Sequence, residues 1–260
     1  MKKKFLIAGI IVAVIVLVVG GYQGMVMYSV YQKEKEREEK LQKFADIRQT
    51  GDTSSLYNEE GKVTIPVDFE GLQKENPDIY AWITIPGVVD EPILQHPQDN
   101  EYYQKHGAEG KKNKNGAVFT ESLNHKDFSD SLTVIYGFNC DDGSLFGNIY
   151  QYRDRQFMKE HPMIYIYTPQ EVYSYRIFAA YQSDNRHLLM RFNKGTYEGN
   201  VKAFIKDALR QREMGATVDR TVDIDIDNRF LTLSTHDMAG EEYRYLIPVS
   251  YTHLTLPTKA

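Results

Sequence analysis

The sequence predicts a mostly-β domain, a barrel or a sandwich, behind an N-terminal membrane helix. Three observations support this: short segments that alternate apolar and polar residues, turn residues at their ends, and a single stretch with helical spacing inside the domain. The 19 tyrosines also suit β-structure, because aromatic residues favour strands. Hydrophobic residues make up 42% of the 260 residues, which is typical of a globular domain that buries a core.

The first segment is predicted to be a membrane anchor over residues 1–28. Its part from 5 to 28 contains no charged residue, and about 20 apolar residues suffice to cross a bilayer. A cleaved signal peptide is the alternative, but the apolar stretch is longer than a usual signal core and no clean Ala-x-Ala site follows it. The lysines at 2–4 favour a cytoplasmic N-terminus with the domain outside the cell, although the basic residues within 33–37 weaken that orientation.

Composition divides the rest of the chain. Residues 29–62 combine a charged stretch of helical character with a linker of Gly, Asp, Ser and Asn, which predicts a solvated stalk. The folded domain is predicted over 63–248. The net charge of −5 argues against nucleic acid as a partner.

The first half of the domain is predicted from turn residues and alternation. A short helix over 68–76 ends before Pro77, which cannot continue a helix. The segment 81–85 alternates and stops at a Pro-Gly turn, and 92–95 forms a second short strand. An Asn-Gly turn then precedes a strand over 117–119.

The second half adds longer strands and the helix. A strand over 132–136 ends at a glycine, and 163–167 pairs with 172–181 across a Thr-Pro-Gln turn. Apolar residues between 197 and 213 keep helical spacing. Further strands are predicted over 222–226, 230–235 and 243–247.

The last twelve residues, 249–260, look unlike natural protein sequence. Their first ten residues can be back-translated as GTC TCT TAT ACA CAT CTG ACG CTG CCG ACG, which resembles a transposon-end sequencing adapter read in frame. We therefore interpret this tail as adapter read-through. On that interpretation the final strand is truncated, and no motif in the tail carries function.

The single cysteine, Cys140, cannot form an internal disulfide, so its thiol is either buried and inert or reactive. Together with His236 it could supply only two metal ligands, and two ligands do not make a protein zinc site. The aspartates at 223, 225 and 227 alternate along a strand but lack a glycine-containing calcium loop. The sequence predicts no metal and no cofactor.

The strand over 230–235 ends at a position that can carry chemistry. It reads Phe-Leu-Thr-Leu-Ser-Thr, is followed by His236, and has Arg244 one short hairpin later. It resembles the strand of the sortase family that ends Thr-Leu-Ser-Thr-Cys and is followed by an arginine. The family's catalytic histidine follows a Tyr-Gly pair, and in this chain Phe138 follows Tyr136-Gly137.

Further pieces extend the resemblance over roughly residues 65–248 and place it closest to class B sortases. Each piece is weakly specific alone, but their order and spacing together are specific. The pieces are 76–87, 99–103, 115–119, 136–139, 142–147 and the helix that begins at 197.

The resemblance implies a sortase-like closed β-barrel with short N-terminal helices and one helix before the last strands. It also implies a membrane-anchored cysteine transpeptidase of a Gram-positive-type envelope. In that reaction a thiolate attacks the threonine carbonyl of a surface protein's sorting motif. A histidine moves the protons and an arginine stabilises the oxyanion. The partners would be sorting-motif peptides and an amine of the cell-wall precursor.

Residue by residue, Arg244 matches the oxyanion arginine, while His236 stands at the nucleophile position and Phe138 at the acid/base position. The strand residues Ser234 and Thr235 are then assigned to substrate binding. Two hypotheses remain open. The chain is either a catalytically impaired sortase that binds sorting signals, or an active transpeptidase. Activity would require a swapped pair, with Cys140 as thiol and His236 as base, or site residues that this sequence misreports.

Overall fold

In the computed structural model of the protein, the described residues are 25, 27–28, 65–192, 197–238 and 240–252. The chain divides into two units, Met1–Ser55 and Leu56–Ala260. The described residues of the first unit are Met25, Met27 and Tyr28, which are helical and exposed.

The predicted anchor therefore lies almost wholly outside the described residues, as does the stalk over 29–62. Within the part of the chain that the structure describes, no helix has the length and apolar character needed to span a membrane. The membrane helix stays a prediction.

The second unit contains nine strands and four α-helices among its described residues. The helices are α1 (Phe69–Glu75), α2 (Arg155–Glu160), α3 (Leu188–Arg191) and α4 (Tyr197–Leu209), and 3-10 turns cover Tyr102–Gln104 and Ile149–Arg153. The strands are β1 (Ile79–Ile85), β2 (Val89–Leu94), β3 (Leu132–Tyr136), β4 (Met163–Tyr167), β5 (Val172–Ile177), β6 (Ala179–Asp184), β7 (Thr217–Val218), β8 (Phe230–Asp237) and β9 (Gly240–Thr252).

The strands form one sheet that is organised around β9. Along one path the order is β2-β1-β4-β5-β9-β6-β7. On its other edge β9 pairs antiparallel with β8, and β8 pairs in parallel with β3. This mostly-β architecture, with α4 before the last two long strands, confirms the predicted fold class.

The prediction of a closed barrel is wrong, because among the described residues no ladder joins the outer strands β2 and β3. Instead, Phe119 alone makes a single bridge to Leu94 of β2 and another to Tyr136 of β3. The expected strand over 117–119 is therefore only a pair of isolated bridges. The segment is too short to pair along its length with both edges.

Two other predicted strands differ from the structure. The segment 222–226 forms no strand, because Asp219 and Asp225 accept hydrogen bonds from backbone amides two residues later and fold the chain into turns. The segment 172–181 is split into β5 and β6. Their register against β9 shifts at this point, between the pairs Ile177–Val249 and Tyr181–Leu246.

Strand β8 separates two hydrophobic clusters. Leu231 and Leu233 belong to the larger one inside the curved sheet, whereas Phe230 belongs to a second one under α4. The second cluster includes Val201 and Phe204, which share one face of α4. Because side chains alternate along a strand, Ser234 and His236 project to the same side as Phe230.

Candidate functional site

The candidate site lies where β3 and β8 end and β9 begins. His236 of β8 is paired directly with Arg244 of β9 across the hairpin. Gly137, which follows β3, donates its backbone N–H to the carbonyl oxygen of Ser234 at 3.2 Å. This parallel register brings Phe138 against His236, with 5.5 Å between the ring centroids and 41° between the ring planes.

These side chains line one groove of about 400 Å³. The strands contribute Ser234, His236 and Arg244, and Phe138 comes from the turn after β3. The remaining wall residues are Asn100, Glu101, Gln104, Phe119, Glu121, Leu123, Tyr136, Gly137, Asn185, Arg186, His187, Leu188 and Met190. The groove thus brings together Phe138, His236 and Arg244, the three residues that match the catalytic positions of the sortase family in the sequence.

Thr235 is placed differently. Its side chain is fully buried and lies on the opposite face of β8 from Ser234 and His236. It is not among the described residues that line the groove. Of the two predicted substrate-binding residues, only Ser234 lines the groove, and its side chain is itself buried.

Arg244 keeps the position and charge that an oxyanion donor needs. Its side chain is half-buried, and burial lowers the pKa of its guanidinium, which nonetheless stays protonated because an arginine pKa starts so high. Among the described residues, no carboxylate lies within ion-pair distance of it. Arg244 can therefore offer its N–H groups to a bound acyl oxygen.

Two hydrogen bonds and a ring stack from Tyr150 hold the hairpin that carries His236 and Arg244. The Tyr150 hydroxyl donates to the His236 carbonyl oxygen at 3.0 Å and accepts from the Met238 N–H at 2.7 Å. Tyr150 also stacks on Tyr245 with 4.6 Å between the centroids. The turn after β8 is thereby fixed from inside the sheet, and its two site residues keep their relative position.

Cys140 is not brought into the groove. Its side chain is 8% exposed, and it is absent from the described lining residues. Burial is the main cause that raises the pKa of its thiol, Ser144 acts in the opposite direction, and the nearby carboxylates of Asp142, Glu91 and Asp141 add to the increase. A reactive cysteine needs the opposite environment, so these observations do not favour Cys140 as a swapped nucleophile.

Two groove residues have no counterpart in the sequence motifs. Glu121 follows the Phe119 bridge, and His187 caps α3. The His187 Nε2 lies 2.7 Å from a Glu121 carboxylate oxygen. No local pattern could have predicted this contact, because the two residues are far apart in the chain and each lies in an irregular segment. Across the described part of the chain, no group of three or more His, Cys, Asp or Glu side chains could hold a metal ion.

Comparison with known proteins agrees with this geometry. No protein-family model matches the chain. Sortase B of Listeria monocytogenes is 30% identical over 194 residues, which cover 72% of this chain and 76% of that protein. Sortase B of Staphylococcus aureus is 24% identical over 242 residues, covering 92% and 93%. The solved Staphylococcus aureus sortase B–substrate complex matches with a TM-score of 0.67 and 22% identity, over 86% of this chain and 99% of that chain.

The fold is that of the sortases. The identity to the Listeria protein and its coverage show that the chain belongs to the class B sortase family. The predicted class is confirmed, and membership indicates a sortase-type function at the cell wall.

Proposed function

We propose that the chain is a membrane-anchored class B sortase that binds the sorting signals of surface proteins but is catalytically impaired. The observation that supports this most directly is the convergence of His236, Phe138 and Arg244 on one groove without a thiol among its described lining residues. The position for chemistry is kept, and two of the three reacting groups are changed.

The replaced groups explain the expected impairment. An imidazole at position 236 can form an acyl adduct, but such adducts hydrolyse readily, so His236 holds an acyl group poorly. Phe138 carries no ionisable proton, so it cannot protonate a leaving amine or deprotonate an incoming one. Arg244 could still polarise a peptide carbonyl, which favours binding without turnover.

The groove offers the surfaces that a peptide needs. Leu123 and Met190 are 49% and 54% exposed at its wall and provide apolar contacts. Arg244, which is half-buried, provides a polar one. A similar solved protein is a sortase B–substrate complex and another is a sortase B complexed with triglycine, which supports a peptide in the corresponding place here.

The proposed function includes a location at the cell membrane. Residues 5–28 would anchor the chain in the cell membrane with its N-terminus in the cytoplasm and the sortase domain outside. There it would meet both sorting-motif peptides and the amine of the cell-wall precursor. Its role would be to hold sorting signals or to partner an active sortase.

The test compares the unaltered chain with a variant that carries His236→Cys and Phe138→His. The probes are fluorescent peptides with a central threonine, blocked at both ends, and the readouts are fluorescence anisotropy for binding and chromatography for cleavage. We expect the unaltered full-length chain, purified in detergent, to bind a subset of peptides without cleaving them. The double variant should cleave that same subset, because it regains a thiol and a proton-transfer group in the groove.

The control adds Arg244→Ala to the double variant, which should lower the cleavage rate about 100-fold or more because one oxyanion donor is lost. Cleavage by the unaltered chain that disappears in Cys140→Ser would instead support an active transpeptidase with a swapped pair. Absence of binding to every peptide would reject the proposed role in holding sorting signals.

A further inference from the structure

We infer that Glu121 sets the charge preference of the groove, so that Arg244 takes a neutral carbonyl inside a peptide rather than a free carboxylate. The inference rests on the proposed function, because it specifies which peptides the groove holds. Glu121 would act as a specificity-determining residue through its charge.

The bridge at Phe119 fixes the position of Glu121 in the fold. Phe119 bridges β2 and β3, and its ring stacks on Tyr136 with 5.4 Å between the centroids. Glu121 follows two residues later and lines the same groove as Tyr136 and Arg244. Its side chain is only 13% exposed, so its charge is weakly screened by water.

The negative charge of Glu121 influences the pKa of Arg244. Burial lowers the pKa of the Arg244 guanidinium, and Tyr136 and Glu121 act in the opposite direction. The same carboxylate, after burial, helps to raise the pKa of Tyr136, which stays a neutral hydroxyl. The opposite charges of Glu121 and Arg244 therefore partly offset each other. The two side chains do not form a direct ion pair among the described residues.

His187 is the direct hydrogen-bond partner of Glu121. Its Nε2 lies 2.7 Å from a Glu121 carboxylate oxygen, while its Nδ1 accepts the Met190 N–H at 3.4 Å. Because the Nδ1 accepts, the Nε2 is the ring atom that donates to Glu121. This hydrogen bond holds the Glu121 carboxylate at the wall of the groove.

The other charged wall residues do not reverse the balance. Arg186 is engaged by Asp184, with contacts of 2.8 and 2.7 Å to its two carboxylate oxygens. Glu101 adds a second negative charge, but on an exposed side chain. A bound carboxylate would thus meet one half-buried cation and a nearby buried anion, whereas a neutral amide carbonyl meets the cation without repulsion.

The experiment measures the affinity of two peptides of one sequence, taken from those that bind in the test above. One ends at its threonine as a free acid, and the other ends at the same threonine as an amide. We expect the unaltered full-length chain to bind the amide more tightly. In Glu121→Gln, which keeps an oxygen acceptor for His187, the preference should move toward the acid by about tenfold because one repulsive charge is removed.

Glu101→Gln is the matched control, because it removes the same charge from an exposed wall residue. It should change the preference by less than about threefold, since exposed charges are screened. An unaltered chain that prefers the acid, or a preference unchanged in Glu121→Gln, overturns this inference while the proposed function stands. Binding of neither peptide, in a chain that also binds no blocked peptide, overturns both. A preference of the unaltered chain for the acid overturns the inference even if Glu121→Gln does not fold.

Discussion

At the scale of single residues, Phe138 and His236 form a matched pair. Their rings touch at a centroid distance of 5.5 Å, and aromatic contacts of this kind contribute about 0.5–1.5 kcal/mol beyond burial. Restoring only one of the two catalytic residue types would rebuild no reacting pair. The restoring experiment therefore needs both substitutions together.

A short sequence motif precedes each of these two residues. Tyr-Gly before Phe138 marks the end of β3, Ser-Thr before His236 lies in the last part of β8, and the parallel pairing of the two strands brings these motifs together. Glu121 and His187 were missed because their contact depends on how two irregular segments fold over the groove. The direction of Cys140 could not be predicted either, since it follows the end of a strand and alternation no longer applies.

The placement of Cys140 leads to a prediction about its reactivity. Burial raises the pKa of its thiol, so less thiolate is present at neutral pH than in an ordinary thiol. A maleimide probe should label Cys140 at least about tenfold more slowly than a free cysteine, with a rate that rises only above the usual thiol range. Labelling followed by mass spectrometry from pH 6 to pH 10 measures this.

His236→Ala should leave that labelling rate unchanged, and labelling in urea should reach the rate of a free thiol. Fast labelling at neutral pH that His236→Ala abolishes would contradict the buried placement and revive the swapped pair.

At the scale of elements, the groove depends on the gap between the sheet edges β2 and β3. Gln95, which follows β2, uses its side-chain amide to contact the carbonyl oxygens of Glu121 and Asn124, both at 2.9 Å. The Asn124 side chain then accepts from Val134 of β3 at 3.0 Å. Side chains thus complete the connection that a further strand would otherwise provide.

This connection also shows which elements a sequence can reveal. Strands such as β3 and β4 were predicted with their observed bounds, because alternation and turns mark both ends. The bridge at Phe119 was taken for a strand because it has strand-like residues, although pairing partners decide whether a strand forms. The apolar residues within 222–226 pack against the cluster under α4 without pairing to another strand. The alternation of apolar and polar residues in this segment therefore reflects the burial of its apolar side chains and not the formation of a strand.

Gln95→Ala should therefore destabilise the domain. The substitution leaves buried carbonyl groups without their donor, and such a loss costs about 1–3 kcal/mol in the free energy of unfolding. Gln98→Ala changes an exposed glutamine three residues later and should alter stability by less than about 0.5 kcal/mol. Urea unfolding followed by circular dichroism compares the stabilities of the two variants. Equal unfolding midpoints would show that the Gln95 side chain does not stabilise the connection between β2 and β3.

At the scale of the whole molecule, β9 holds the sheet together. It spans 13 residues and pairs with β5, β6 and β8. Its pairing with β5 lies entirely within 249–252, the beginning of the segment interpreted as adapter read-through. That interpretation stays a prediction, and residues 253–260 lie outside the described part of the chain. Whatever their origin, positions 249–252 connect the two halves of the sheet.

A pair of truncated chains tests this contribution. The first ends after Thr252 and the second after Pro248, so that they differ only in the residues that pair with β5. Val249 is fully buried, the Ser174 hydroxyl donates to the Thr252 carbonyl oxygen at 2.8 Å, and Arg229 packs over Tyr251. Loss of this apolar burial and of the ladder should lower the free energy of unfolding by about 3 kcal/mol or more in the shorter chain.

Thermal unfolding of both chains measures the difference, and the Thr252 chain is the reference because it keeps every described pair of β9. Equal transition temperatures would show that β5 needs no partner beyond β4. A large difference would mean that a natural sequence beyond Pro248, if it differs from this one, must still extend the strand. It must also place an apolar residue at position 249, because the space beside Ile177 and Leu231 is closed to water and would otherwise hold an unsatisfied polar group.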